Sequence, residues 1–226
     1  MSVIALVPAH DEAERIAATV RSAMGVRSID RVLVIDDASS DDTAALARAA
    51  GAEVLSLHTN LGKGGALQAG LDSLAEDADV LVLLDGDLGE TAGQAGLLVA
   101  PVLAAEADMT IATLPRPSGS GGFGLVKGLA RWGINRLSGY EPSAPLSGQR
   151  ALSRAAWEAA TPFATGYGVE VALTVRAARA GMRILEIPTT MAHAATGRDV
   201  AGFVHRGRQF VQVASALMRL ALRRPL

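Results

Sequence analysis

Asp85 and Asp87 flank Gly86 directly after Asp79-Val80-Leu81-Val82-Leu83-Leu84, the strongest buried-strand signal in the chain. Residues i and i+2 of an extended segment project to one side, so both carboxylates can converge on one cation beyond the strand's end. Gly86 between them lets a bulky ligand approach the backbone closely. Mg²⁺ and Mn²⁺ take oxygen ligands and often bridge one or two carboxylates to a substrate diphosphate. The chemistry this pattern suggests is metal-assisted handling of a nucleotide diphosphate. An isolated acidic pair of this kind is more often a solvated turn; its placement after an apolar run, and partners elsewhere in the chain, reverse that preference.

Those partners must be delivered by elements around the same edge. Val3–Val7 reads as a strand, Ala13–Met24 as a helix with Asp11 and Glu12 near its positive end, and Arg31–Ile35 as a strand ending in Asp36-Asp37. Asp41 or Asp42 can cap a helix that runs to Ala50 and stops at Gly51, and Glu53–Leu57 follows as a strand. Asn60-Leu61-Gly62-Lys63-Gly64-Gly65 forms a loop into a helix reaching Leu74. This alternation predicts an α/β fold of mostly parallel strands flanked by helices, with ligands bound outside the strands' carboxyl ends. Asp11, Asp37, Lys63, Asp85 and Asp87 all follow strands and can share one crevice. Further on, Asp108–Leu114 reads as a strand, 115–124 as a mobile Gly/Pro/Ser-rich loop, and Leu125–Leu137 as a helix carrying Lys127, Arg131 and Arg136. Glu170–Ala180 reads as a helix closed by Gly181, Arg183–Ile187 as a strand ended by Pro188, and about 202–224 as a long terminal helix.

The 226 residues, half of them hydrophobic, fit one large domain with a sizeable core, and neither a repeat nor an interdomain linker is evident. A formal charge of −2 gives no electrostatic case for nucleic acid. The absence of cysteine excludes disulfides and thiolate metal sites. The N-terminus has neither a basic leader nor a long apolar region, so the expected location is cytoplasmic, with attachment at the inner membrane face left open. A homodimer is also left open.

Val7-Pro8-Ala9-His10-Asp11-Glu12, Val34-Ile35-Asp36-Asp37-Ala38-Ser39, Asn60-Leu61-Gly62-Lys63-Gly64 and Asp85-Gly86-Asp87, in this order, resemble the nucleotide-sugar-binding half of family 2-like glycosyltransferases with the GT-A fold. The resemblance implies one domain over 1–226: a donor half over 1–115, and an acceptor half over 116–226 with the C-terminal helix. It implies that Pro8, Ala9, His10 and Glu12 lie against the nucleoside and that Asp37 accepts from the imino N–H of uracil. Lys63 would lie near the base or diphosphate, Asp87 would ligate Mg²⁺ or Mn²⁺, and Asp85 would hold ribose or a metal-bound water beside Gly86. Asp36 reads instead as a helix cap or a solvated sheet edge. Lys63 has the alternative of a solvated helix start, although a cation is disfavoured there unless an anion is near.

The second half resembles two narrower groups. Pro145-Leu146-Ser147-Gly148-Gln149-Arg150, Gly166-Tyr167-Gly168-Val169-Glu170 and Ala192-His193 are similar to glucosyl-3-phosphoglycerate synthases. That likeness implies that Glu170 contacts the donor sugar and serves as base for a hydroxyl acceptor, and that His193 completes the metal site; Tyr167 can equally be core. Those synthases carry Arg and Thr in an acceptor-binding motif near their flexible loop, and 119–124 here contains neither. Ser147-Gly148-Gln149-Arg150 also resembles the Ser-Gly-x-Arg motif of polyprenyl-phosphate sugar transferases. Either likeness implies a phosphate-bearing acceptor, held by Arg150 with Lys127, Arg131, Ser147, Gly148 and Tyr167. The acid-free segment from His205 to Arg224 suits an anionic membrane surface, against the alternative of a core-packed helix with a solvated basic face. A catalytically silent nucleotide-sugar-binding module is the reading of another class.

Overall fold

The computed structural model describes residues 1–74, 78–114, 124–192 and 200–222. Its first part alternates as β1 (Val3–Ala9), α1 (Ile16–Met24), β2 (Arg31–Asp36), α2 (Thr43–Ala49), β3 (Glu53–Ser56), α3 (Gly62–Ser73) and β4 (Val80–Leu83). The central strands are apolar throughout because both sheet faces are covered. Val3, Ala5 and Val7 of β1 face a core with Ile16, Val20 and Ala23 of α1. Ile4 and Leu6 face the opposite core with Leu67 and Leu71 of α3. Gly51 and Gly181, at φ +103° and +73°, take the left-handed conformation that ends the helices before them.

A 3₁₀ turn (Gly89–Gln94) then leads to α4 (Ala95–Leu103), β5 (Met109–Thr113), α5 (Gly124–Ser138), β6 (Arg150–Ser153), α6 (Arg154–Ala160), a second 3₁₀ turn (Gly166–Gly168), α7 (Val169–Arg179), β7 (Ile184–Pro188) and α8 (Val200–Ala221). The seven strands form one sheet in the order β3-β2-β1-β4-β6-β5-β7. Pairings among β1, β2, β3 and β4, and between β5 and β7, are parallel. β6 runs antiparallel to both of its neighbours. The mostly parallel sheet is as expected, whereas β6, α4 and α6 were not read from the sequence. Arg-Ala-Leu-Ser is too short and too polar at its head to carry a strand period. Pro188 belongs to β7 rather than stopping it: β7 is an edge strand, where a missing N–H costs no ladder bond.

α8 packs Val213, Leu217 and Leu220 into a third core with Val126, Ala130 and Ile134 of α5 and Val171 and Val175 of α7. Gly133 makes the close approach to α8 feasible, since a Cβ there would fall 2.4 Å from a Leu217 methyl. Among the described residues no helix is long and apolar enough to cross a membrane.

Candidate active site

Several chain segments reach one edge of the sheet. β1, β2 and β4 deliver the residues after their carboxyl ends, as parallel topology requires. β6 is antiparallel, so its leading residues arrive at the same edge. Leu83 pairs with Arg150, which sets Gln149 beside Asp85. The Gln149 amide donates to Asp85 Oδ2 at 2.8 Å, and the Ser147 hydroxyl donates to Gln149 Oε1 at 3.3 Å. Gln149 was not picked as a site residue, although the Ser-Gly-Gln-Arg motif contained it.

Lys63 begins α3 and joins two carboxylates from distant segments. Its Nζ lies 2.5 Å from Asp85 Oδ1 and 2.8 Å from Glu170 Oε1. Burial disfavours the ammonium, but Asp85 and Glu170 outweigh it and hold the Lys63 pKa above its usual value. Lys63 is thus not a solvated helix start. Two glycines permit the junction. A Cβ on Gly148 would stand 2.3 Å from Lys63 Nζ and 2.9 Å from Asp85 Oδ2. A Cβ on Gly64 would stand 1.9 Å from the Ala164 carbonyl oxygen, so α3 starts directly against the segment leading to Glu170. Tyr167 is half-buried there, and its backbone N–H donates to Gln212 Oε1 of α8 at 2.9 Å.

The Asp85-Gly86-Asp87 turn is pinned from α1. The Thr19 hydroxyl donates to the Gly86 carbonyl at 2.8 Å and accepts from the Gly89 N–H at 2.8 Å. Thr19 carried no sequence signal. A Cβ on Gly86 would lie 3.2 Å from Ala9 Cβ and 3.4 Å from the Pro8 oxygen, so the Pro8–Glu12 loop abuts this turn. Burial, and then the charges of Asp87 and Asp85, push the Glu12 carboxyl up to about 7. Three carboxylates therefore lie near this turn, with Lys63 bound to Asp85 and the Arg15 charge near Glu12 only partly offsetting their repulsion. Asp85 and Asp87 offer the hard oxygen donors that suit Mg²⁺ or Mn²⁺. Among the described residues no three side chains form a complete metal-ligand group. His193, expected as a ligand, and the 115–123 part of the expected mobile loop lie outside the described residues.

The Glu12 environment predicts a pH effect. Its folded pKa is raised above the usual 4.5, so the wild type loses stability as pH rises from about 4.5 through about 7. Glu12→Gln does not ionise. In chelator above pH 7 it should gain roughly 1–2 kcal/mol, a figure discounted for solvent screening, and the gain should vanish near pH 4. Melting curves of both proteins across pH check this.

The segments after β1 and β2 are cross-linked by short polar contacts. Asp11, at φ 54°, accepts from the Ser40 N–H at 2.7 Å, and its own N–H donates to Ser39 Oγ at 3.0 Å. The Glu12 N–H donates to Thr43 Oγ1 at 2.8 Å, and the Ala13 N–H to Asp41 at 3.1 Å. These bonds delay the regular start of α1 to Ile16. Asp42 holds the N-cap position of α2 without a side-chain bond, and the preceding Asp41 accepts from the Thr43 N–H at 3.0 Å. Asp36 accepts from the Ser39 N–H at 3.1 Å, a local structural role. Asp37 is buried and accepts from the Leu61 N–H at 2.6 Å, while its carbonyl bonds His10 Nδ1 at 2.9 Å. One Asp37 oxygen thereby fixes the approach to α3.

Arg150 requires a correction. It was expected to hold an acceptor phosphate, yet it is fully buried, 0% exposed, in the middle of the sheet. Its Nε donates to the Ser147 carbonyl at 2.9 Å and its Nη1 to Thr174 Oγ1 at 2.8 Å; Nη2 is buried without a partner. Burial, opposed by Glu170 and other anions, pushes the guanidinium pKa down to about 10, so it stays charged at neutral pH. Such an internal cation does not touch an acceptor. Arg150→Ala should cost roughly 2–5 kcal/mol through the cavity and the lost bonds, and leave acceptor KM unchanged. Thermal melts with acceptor kinetics check both halves. Ser147 is buried in the same turn, whereas Lys127 and Arg131 are exposed on α5. Arg131 Nε donates to the Pro142 carbonyl at 3.1 Å.

Comparison with known proteins places this geometry. The profile of glycosyl transferase family 2 matches residues 4–144. The chain is 30% identical over 202 residues to glycosyltransferase AglJ of Haloferax volcanii, covering 88% of this chain and 65% of that protein, just under two thirds of its length. It is 29% identical over 221 residues to undecaprenyl-phosphate mannosyltransferase of Micrococcus luteus, covering 88% of this chain and 87% of that one. The fold is similar to glucosyl-3-phosphoglycerate synthase of Mycobacterium tuberculosis in complex with Mn²⁺, UDP and glucosyl-3-phosphoglycerate. The TM-score is 0.79 at 26% identity, covering all of this chain and 81% of that one.

Proposed function

The chain belongs to glycosyl transferase family 2, and on that footing we propose that it moves a sugar from a nucleoside diphosphate, uridine diphosphate by preference, to a phosphate-bearing acceptor, with a divalent cation. The observation that carries this reading is the convergence of Asp85, Asp87 and Glu12 at the sheet edge, beside a lysine already locked between Asp85 and Glu170. Asp87 and Asp85 would hold the cation, with His193 as a further ligand. When bound, Mg²⁺ or Mn²⁺ neutralises charge on the diphosphate. The Mycobacterium tuberculosis synthase has been crystallised with Mn²⁺, UDP-glucose and phosphoglyceric acid, and also with Mg²⁺ and UDP.

In this reading the bond from the anomeric carbon to the diphosphate oxygen breaks and an acceptor oxygen bonds that carbon. Pro8, Ala9, His10 and Asp37 flank the base, and Gly86 admits the ligand between the carboxylates. Lys63 holds Asp85 and Glu170 in place and presents its charge to the leaving group. Glu170 already binds Lys63 at 2.8 Å, which suits orientation of the donor sugar. An anionic phosphate acceptor needs no general base. Lys127, Arg131, Ser147, Gly148 and Tyr167 stand on the acceptor side.

A soluble phosphorylated acceptor follows the synthase likeness, and a polyprenyl phosphate follows the Micrococcus luteus relative; the exposed basic side of α5 favours the second. The test is nucleotide release from a panel of UDP- and GDP-sugars with Mn²⁺ or Mg²⁺, against phosphoglycerate, polyprenyl phosphates and simple alcohols. Metal-dependent release with one phosphorylated acceptor supports the proposal. Release with none would return the chain to a binding module.

A further inference from the structure

α5 and α8 lie side by side and run parallel: Leu217 packs on Gly133, and the Arg179 guanidinium spans the carbonyls of Leu137 and Leu220. By this alignment Leu125 falls level with Phe210 and Val211 along the helix pair, Trp132 level with Met218, and Arg136 level with Leu222. All these side chains are exposed, Leu125 at 82% and Trp132 at 64%. Their helical phase agrees. On α5, Leu125, Trp132 and Arg136 fall at i, i+7 and i+11; on α8, Val211, Met218 and Leu222 follow the same spacing. The buried stripes of both helices are occupied by the core already described, so this is a second, outward apolar face. Contiguous exposed apolar surface of this kind marks an interaction site.

The charge around it selects the partner. Neither α5 nor α8 contains an acidic residue, and Lys127, Arg131, Arg136 and Arg219 are exposed on them. The nearest acid after α5, Glu141, lies beyond its C-terminus. A second copy related by a two-fold axis would set this basic face against itself. An anionic bilayer surface supplies both an apolar layer for the rings and methyls and negative charge for the rim. We infer that the α5/α8 face docks the protein on the surface of an anionic phospholipid bilayer. Gln212 and Ala216, which point away from Val211 and Met218 on α8, pack on Gly166 and Gly168 directly before Glu170, so α8 lies between the docking face and this part of the site. The inference does not depend on which acceptor is used.

Flotation of the full chain with vesicles of phosphatidylcholine, with and without phosphatidylglycerol, tests it. Binding to the anionic vesicles should be at least about tenfold stronger and should weaken with salt. The protein's second tryptophan, Trp157, is buried, so a blue shift of emission on binding reports Trp132. Trp132→Ser and Met218→Ser should each weaken binding several-fold, roughly in line with the apolar area removed from lipid, without lowering the melting temperature. Arg136→Glu with Arg219→Glu should erase the preference for anionic lipid. Absence of vesicle binding, equal binding to neutral vesicles, or a Trp132 shift that follows protein concentration without lipid would overturn it; the last would point to a second copy. UDP binding measured without vesicles keeps failure of the donor reading separate.

Discussion

Lys63→Ala should destabilise the protein by about 3–5 kcal/mol, a fall in melting temperature of roughly 6–20 °C for a chain of this size. The cause is what remains. Asp85 and Glu170 are only 22% and 6% exposed at the side chain, and both bind the same ammonium. Without it, two poorly hydrated carboxylates are left close together, and the junction between α3, β4 and α7 carries uncompensated charge. Three controls separate this cause from a simple packing loss. Lys63→Arg should retain most of the stability. Adding Glu170→Gln to Lys63→Ala should restore a large part of it, because one of the two charges is gone. Mn²⁺ should raise the melting temperature of Lys63→Ala more than that of the wild type. Equal losses in Lys63→Ala and in the double variant would refute the electrostatic explanation.

Asp87→Asn should behave in the opposite way. Replacing one member of a crowded set of carboxylates relieves repulsion on Glu12, so the melting temperature should stay level or rise slightly. Turnover, in contrast, should fall on the order of 10²–10³-fold, the usual loss when a group stabilising developing charge is removed. Metal-supported UDP affinity should fall by roughly 10–100-fold. The expected separation of fold stability from function at this turn is that Lys63→Ala lowers both, whereas Asp87→Asn lowers chiefly turnover. Melting curves and nucleotide-release rates on the same preparations give the comparison.

Much of the architecture of the first 115 residues was legible from the chain. Asp85 and Asp87 announce themselves because an apolar run long enough to be a buried strand precedes them, and the same holds for Asp37 after β2. Lys63 was legible as a cation at an unfavourable helix end, which already demanded an anion. Its anionic partners follow from topology, since 107 residues separate it from Glu170. Thr19 and Gln149 escaped notice for a related reason. Each acts through one long-range hydrogen bond, and neither residue type is distinctive in its local setting. Arg150 was misjudged because its chemistry suits phosphate while its burial is decided by β6. That strand is four residues long, headed by the arginine itself, and offers no period. The acid-free composition of α8 suggested either a core helix or a membrane-facing one. The packing shows a buried stripe and an exposed basic, apolar one on the same helix, a division that residue order alone did not resolve.

The central claim is that the Asp85–Asp87 edge binds a nucleoside diphosphate through a divalent cation. Calorimetric titration of UDP into the wild-type protein, once with Mn²⁺ and once with chelator, tests it most directly. Binding with Mn²⁺ that weakens at least ~10-fold in chelator, with the difference lost in Asp87→Asn, is the predicted result. Equal affinity in both conditions, with Asp87→Asn binding like the wild type, would contradict it.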